Sequence, residues 1–158
     1  MKKATIELIK SSDVVTLYSI SFSEERITEF ELFVEKFESD AGYNRDYQRI
    51  IAALSSILKV GALERFFRPE GKYNDSLGAI PITGGLLRLY CLRISDEVVI
   101  LGNGGVKKVR SYEEDPLLYG YVLDLQRFET LLRKMLNDGV IVLEKKQLMG
   151  VEDIEFEI

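Results

Sequence analysis

The chain has 158 residues with 21 Lys and Arg against 26 Asp and Glu, a net charge of −5, no histidine and one cysteine. A chain of this length suits one domain, expected here over residues 1–158, and buries enough surface to fold without a disulfide or a structural metal. The absent histidine excludes Ser-His-Asp and Cys-His catalysis and the commonest metal ligand.

Residues 2–9 and 13–22 alternate apolar and polar around Ser11-Ser12-Asp13 and predict a hairpin. Ser23, followed by Glu24 and Glu25, has the chemistry of a helix N-cap. The helix it would start buries Ile27, Phe30, Phe33, Val34 and Phe37 and ends within 39–42. A second helix is expected from Asn44, burying Tyr47, Ile50, Ile51, Leu54 and Leu58 and stopping at Gly61, so that the two form an αα-hairpin. Residues 61–85 hold five glycines and two prolines and predict a loop; Arg65, Arg68, Lys72 and Tyr73 fall in it, either as solvated cations around an anchor of Phe66 and Phe67 or within reach of the strands that follow.

Those strands are the centre of the sequence. Leu86–Ile94 and Val98–Leu101, separated by Ser95-Asp96-Glu97, predict two inner antiparallel strands. With Ser95 and Asp96 as turn residues, Arg88 lies opposite Asn103 and Tyr90 opposite Leu101. Arg88, Tyr90, Leu92, Val99, Leu101 and Asn103 then share a more open face, and Leu87, Leu89, Cys91, Val98 and Ile100 an apolar one turned to helices. Gly102, Gly104 and Gly105 mark a bulge or the close approach of a ligand. Lys107, Lys108, Arg110 and Tyr112 follow. Residues 61–112 carry eight cations against five anions, a basic stretch in an acidic chain. Asp115-Pro116 is an N-cap and first helical position, and the apolar spacing from Leu118 to Leu136 predicts a long helix up to Asn137-Asp138-Gly139. Val140–Leu143 and Ile154–Ile158 predict two short closing strands around Met149-Gly150. Cys91, inside a strand, reads as a small buried hydrophobe.

No Walker loop, GxGxxG, HExxH or CxxC is present, and Glu113, Glu114 and Asp115 suit a helix start better than a metal, so neither a metal nor a cofactor is expected. No apolar run is long enough to cross a bilayer, and no signal-peptide core follows the N-terminus; a cytoplasmic protein without a membrane partner is expected. What remains is positive charge with tyrosine. Arg88, Lys107, Lys108 and Arg110 could surround a phosphate, and Tyr90 or Tyr112 could stack on a base; a solvated basic strand edge is the plainer reading.

The order of elements, with LLRLYCLR carrying Arg88 and VVILGNGGVKK ending at Lys108, resembles the RelE/HigB-like toxins of bacterial type II toxin–antitoxin modules over about residues 24–136. The resemblance implies an α+β fold in which an N-terminal αα-hairpin and a C-terminal helix pack on one face of an antiparallel sheet, here with an added C-terminal hairpin. It implies a metal-independent mRNA endoribonuclease, acting on the ribosome by attack of the RNA 2′-hydroxyl on the adjacent phosphate and neutralised by an antitoxin of helix-turn-helix type. By position, Arg88 becomes a phosphate clamp, Lys107, Lys108 and Arg110 the cationic strand end and Tyr112 a stacking tyrosine, with Arg68, Lys72 and Tyr90 on the substrate side. The competing readings are a gyrase poison on the same scaffold and a catalytically silent protein-binding module. The acidic balance and the C-terminal extension depart from the family's usual pattern.

Overall fold

The alternating N-terminal stretch forms a hairpin of β1 (Lys3–Ser11) and β2 (Thr16–Ser21) in the computed structural model, which describes residues 2–69, 76–80 and 85–158. Ser12 makes the reversal: its hydroxyl accepts from the Val14 and Val15 amides, imitating a backbone turn. The first helix starts later than the Ser23 cap predicts. Arg26 takes a positive φ of 61°, which a helix cannot run through, and Thr28 bridges back to Ser21. α1 (Glu29–Phe37) therefore begins at Thr28, whose hydroxyl accepts from the Glu31 amide while the Glu31 carboxylate accepts from the Thr28 amide. α2 (Asn44–Val60) runs as its spacing predicts and ends at Gly61, at φ 104°, whose amide donates to Ile57 O.

β3 (Arg68–Pro69), β4 (Leu77–Ile80), β5 (Leu87–Arg93), β6 (Val98–Val106) and β9 (Phe156–Glu157) complete a sheet in the order β3-β4-β5-β6-β2-β1-β9. Among the described residues only the β2–β6 pair is parallel. The central hairpin forms, but its register differs from the predicted one by a residue. Arg93 faces Val99 and Cys91 faces Leu101, because Ser95, Asp96 and Glu97 are all consumed by the loop. The Glu97 amide donates to the Ser95 hydroxyl, and the Asp96 and Glu97 carbonyls accept from the Ala62 and Thr16 amides. A slip of one residue exchanges the faces of the partner strand. Val99 and Leu101 thus side with Leu89 and Cys91, and Ile100 with Tyr90 and Leu92.

Neither face of the hairpin is open. α1 and α2 cover the side of Leu87, Leu89 and Cys91, with Phe33, Ile50 and Ile57 in its core; α3 (Pro116–Asn137) covers the side of Tyr90 and Leu92 with Val122, Leu125 and Phe128. The expectation of all helices on one face is thereby corrected: the fold is α+β, a mostly antiparallel sheet between helices on both sides. The C-terminus also differs. β7 (Val142–Glu144) and β8 (Gln147–Met149) pair as a separate ribbon that turns at Lys145, at φ 54°. The last residues join the main sheet as β9, drawn there by Phe156, whose fully buried ring lies 4.7 Å from that of Phe128.

Candidate functional site at the bulged end of β6

Between the pairs Leu89–Gly104 and Cys91–Leu101, Gly102 and Asn103 both oppose Tyr90, so the glycines do mark a bulge. The close approach they permit is made by the chain itself. A Cβ on Gly104 would stand 1.9 Å from Arg88 O, one on Gly102 2.8 Å from Leu125 and one on Gly105 3.2 Å from Leu118. β6 parts from β2 beyond Leu101, where the buried Ser19 hydroxyl donates to Leu101 O at 2.6 Å and accepts from the Phe30 amide at 3.2 Å.

At this parting the bulge aims Asn103 at α1, with Nδ2 donating to Glu29 Oε1 at 3.5 Å and Oδ1 accepting from the Gly104 amide at 2.7 Å. Lys36 Nζ donates to Gly104 O at 3.0 Å and to the Tyr121 hydroxyl at 3.1 Å, and sits 5.0 Å over the Tyr121 ring. Burial raises the Glu29 carboxyl above its ordinary range. The Asn103 hydrogen bond opposes that shift, Asp124 adds to it, and Lys2 and Lys36 oppose it. Burial lowers the Lys36 ammonium, which Glu29 partly restores, and burial followed by the Glu29 charge raises the Tyr121 phenol. A carboxyl and an amine of α1 and a phenol of α3 thus meet with their protonation perturbed, a combination typical of groups that move protons. Sequence reasoning passed over them. Glu29 and Lys36 lie on one side of a helix whose apolar residues dominate its pattern, and Tyr121 falls within the apolar spacing of the long helix; the polar Asn103 inside an apolar strand is the available signal.

The residues singled out from the sequence are brought only partly together. Arg88 is opposite Gly105, and the Lys107 amide donates to Leu86 O at 2.7 Å, so the basic strand end emerges beside the start of β5. Arg68 and Tyr90 both pair with Ala79, from opposite sides, which places them on one face about 10 Å apart. The predicted open side is closed by α3, however, and Arg88 is 8% and Tyr90 0% exposed. Arg88 Nη1 donates to Gly85 O and Leu87 O, both at 3.0 Å, and Asp46 accepts from the Leu86 and Leu87 amides. Arg88 therefore holds the beginning of its own strand, and Tyr90 offers no ring face to a base. Tyr112 is buried edge-on against Tyr90 and Tyr119, each at 6.4 Å. Lys108, Arg110 and Arg68 are exposed and Lys107 half-buried; Lys72 lies outside the described residues. The Cys91 thiol is fully buried and pushed up by that burial, as an inert hydrophobe requires.

Among the described residues, no three Cys, Asp or Glu side chains converge as a metal ion would need, and no helix is long and apolar enough to cross a membrane. No family model, curated protein or solved structure matches the chain.

Proposed function

We propose that the protein is the toxin of a type II toxin–antitoxin module and cleaves mRNA without a metal, by attack of the RNA 2′-hydroxyl on the neighbouring phosphate. One observation carries this reading: the last third of β6 gathers cations from two elements. Lys36 of α1 binds Gly104 O, and Lys107, Lys108 and Arg110 follow within a few residues. A phosphodiester along this strand end would meet ammonium and guanidinium groups able to offset the charge that builds on phosphorus during attack. Arg88, turned inward, acts here as a positioning residue that fixes the strand under those cations, in place of the phosphate clamp implied by the resemblance. The burial of Arg88, Tyr90 and Tyr112 favours one rival, a protein-binding module without catalysis, in which these side chains serve packing alone.

Incubation of the purified chain with end-labelled RNA, with and without EDTA, separates the two. The toxin reading expects chelator-resistant cleavage that falls at least tenfold in a Lys107→Ala/Lys108→Ala/Arg110→Ala variant, and growth arrest on bacterial expression that the same variant relieves. Absence of both cleavage and arrest overturns it in favour of the binding module.

A further inference from the structure

We propose that the outer edge of β1 at Thr5–Leu8 is a docking site for an extended segment of a partner protein, in which apolar residues flank a cationic one, added to the sheet in line with β9. This inference does not depend on the activity proposed above.

The backbone itself shows a place left open. Lys2 and Ile158 exchange both of their backbone hydrogen bonds, at 3.0 and 2.9 Å, so even-numbered residues of β1 direct N–H and C=O away from β2. Ala4 is matched by Phe156, and there β9 stops. Ile6 and Leu8 are next, and among the described residues no strand pairs with β1 on this edge beyond Ala4. Past Leu8 the register of β1 shifts, a bulge that spoils the edge for further pairing and confines the site to these few residues. The chain's own β9 shows that this edge takes an antiparallel strand.

Room for side chains exists on both faces of such a strand. A groove of about 410 Å³ lies between the β1–β2 hairpin and the β7–β8 ribbon, lined by Ile6, Leu8, Tyr18, Leu148 and Met149; Leu8 is 63% and Met149 43% exposed. A second, polar groove of about 470 Å³ is lined by Thr5, Ser21, Glu24 and Glu155, and Arg26 borders both. An added strand turns alternate side chains to opposite faces, so an alternating apolar and polar segment fills both grooves at once.

Charge selects the partner. Glu7, at the centre of the free edge, accepts from the Thr5 hydroxyl at 2.7 Å and meets Arg26 at 3.5 Å, and Glu152 lines the same groove. Residues 151–158 add four acidic side chains and no basic one. The residue opposite Glu7 is therefore cationic, with apolar neighbours opposite Ile6 and Leu8. A second copy of this chain fits poorly: two β1 edges related by a two-fold axis, with Ile6 opposite Leu8 of the partner copy, set Glu7 directly against its own image.

The test uses the full chain and a capped octapeptide, Thr-Val-Thr-Val-Lys-Val-Thr-Thr, with amide hydrogen exchange followed by NMR. Saturating peptide is expected to slow exchange at Ile6 and Leu8 at least tenfold and to leave Thr5 and Glu7, which face β2, unchanged. N-methylation of alternate peptide residues should abolish the effect. Replacing the peptide's lysine by glutamate should weaken binding at least tenfold, Glu7→Gln should erase that preference and Glu7→Lys should invert it. The proposal is overturned if no peptide protects these two amides, if the preference ignores residue 7, or if the amides become protected with rising protein concentration alone, which would assign the edge to a second copy.

Discussion

Gly104 and Glu29 show how single residues decide the bulged end of β6. A methyl group on Gly104 would overlap the Arg88 carbonyl, so Gly104→Ala forces β5 and β6 apart and should cost about 3 kcal/mol, near the upper end for overpacked sites. Gly120 is the control: nothing lies within 4 Å of its Cβ position in the helix interior, and Gly120→Ala should stabilise by about 0.5–1 kcal/mol. Urea midpoints of the two variants should move in opposite directions. At Glu29 the folded carboxyl titrates above its unfolded value, mainly because it is buried. Its contribution to stability is fully present below the unfolded value and is lost as pH rises through the folded one. Glu29→Gln, which keeps an acceptor for Asn103, should therefore gain on the parent chain as pH rises above the unfolded carboxyl's value and level off once the parent carboxyl is ionised; parallel stability curves would refute the assignment. Neither residue advertised its role. The glycines promised a tight approach without saying to what, and a lone glutamate in a first helical turn is ordinary until tertiary packing buries it.

Helices and strands were readable in proportion to how locally they are specified. Asp115 caps α3 through the Leu117 and Leu118 amides with Pro116 behind it, and Gly61 ends α2, as neighbouring residues alone predict. α1 misled because two competing caps lie five residues apart. Ser23 has the right chemistry but makes only a local bond to the Glu25 amide, whereas Thr28 gains both a reciprocal carboxylate at Glu31 and a bridge to β2. Thr28→Ala should thus cost about 1 kcal/mol, and Ser23→Ala less than about 0.5 kcal/mol, in thermal or chemical denaturation. In the central hairpin the strands were legible and their register was not. A two-residue and a three-residue reversal differ by one position, and the choice is made by the Thr16 and Ala62 amides, which reach the Glu97 and Asp96 carbonyls from elsewhere in the chain.

At the scale of the molecule, the apolar residues on both faces of β5, interrupted only by Arg88 before Arg93 ends the strand, are the mark of a strand covered on both sides, and helices do cover both. That arrangement separates the cations read from the sequence: Arg88 is sealed beneath α3, while Lys108 and Arg110, beyond the strand, keep their access to solvent. It also joins residues that the sequence keeps far apart, Lys36 with Gly104 and Tyr121, and Ile6 and Leu8 with the groove under Met149. The amino-acid sequence by itself determined the existence and type of most long elements, the caps of α2 and α3, the bulge at the glycines and the inertness of Cys91, because each depends on side-chain spacing or on contacts within a few residues. Only the tertiary structure decided the parallel joining of β2 to β6, the faces of the central strands, the burial of Arg88 and Tyr90 and the open edge of β1. Those follow from which surfaces meet across the chain, and a register slip or a change of covering helix alters every one of them without changing a single local propensity.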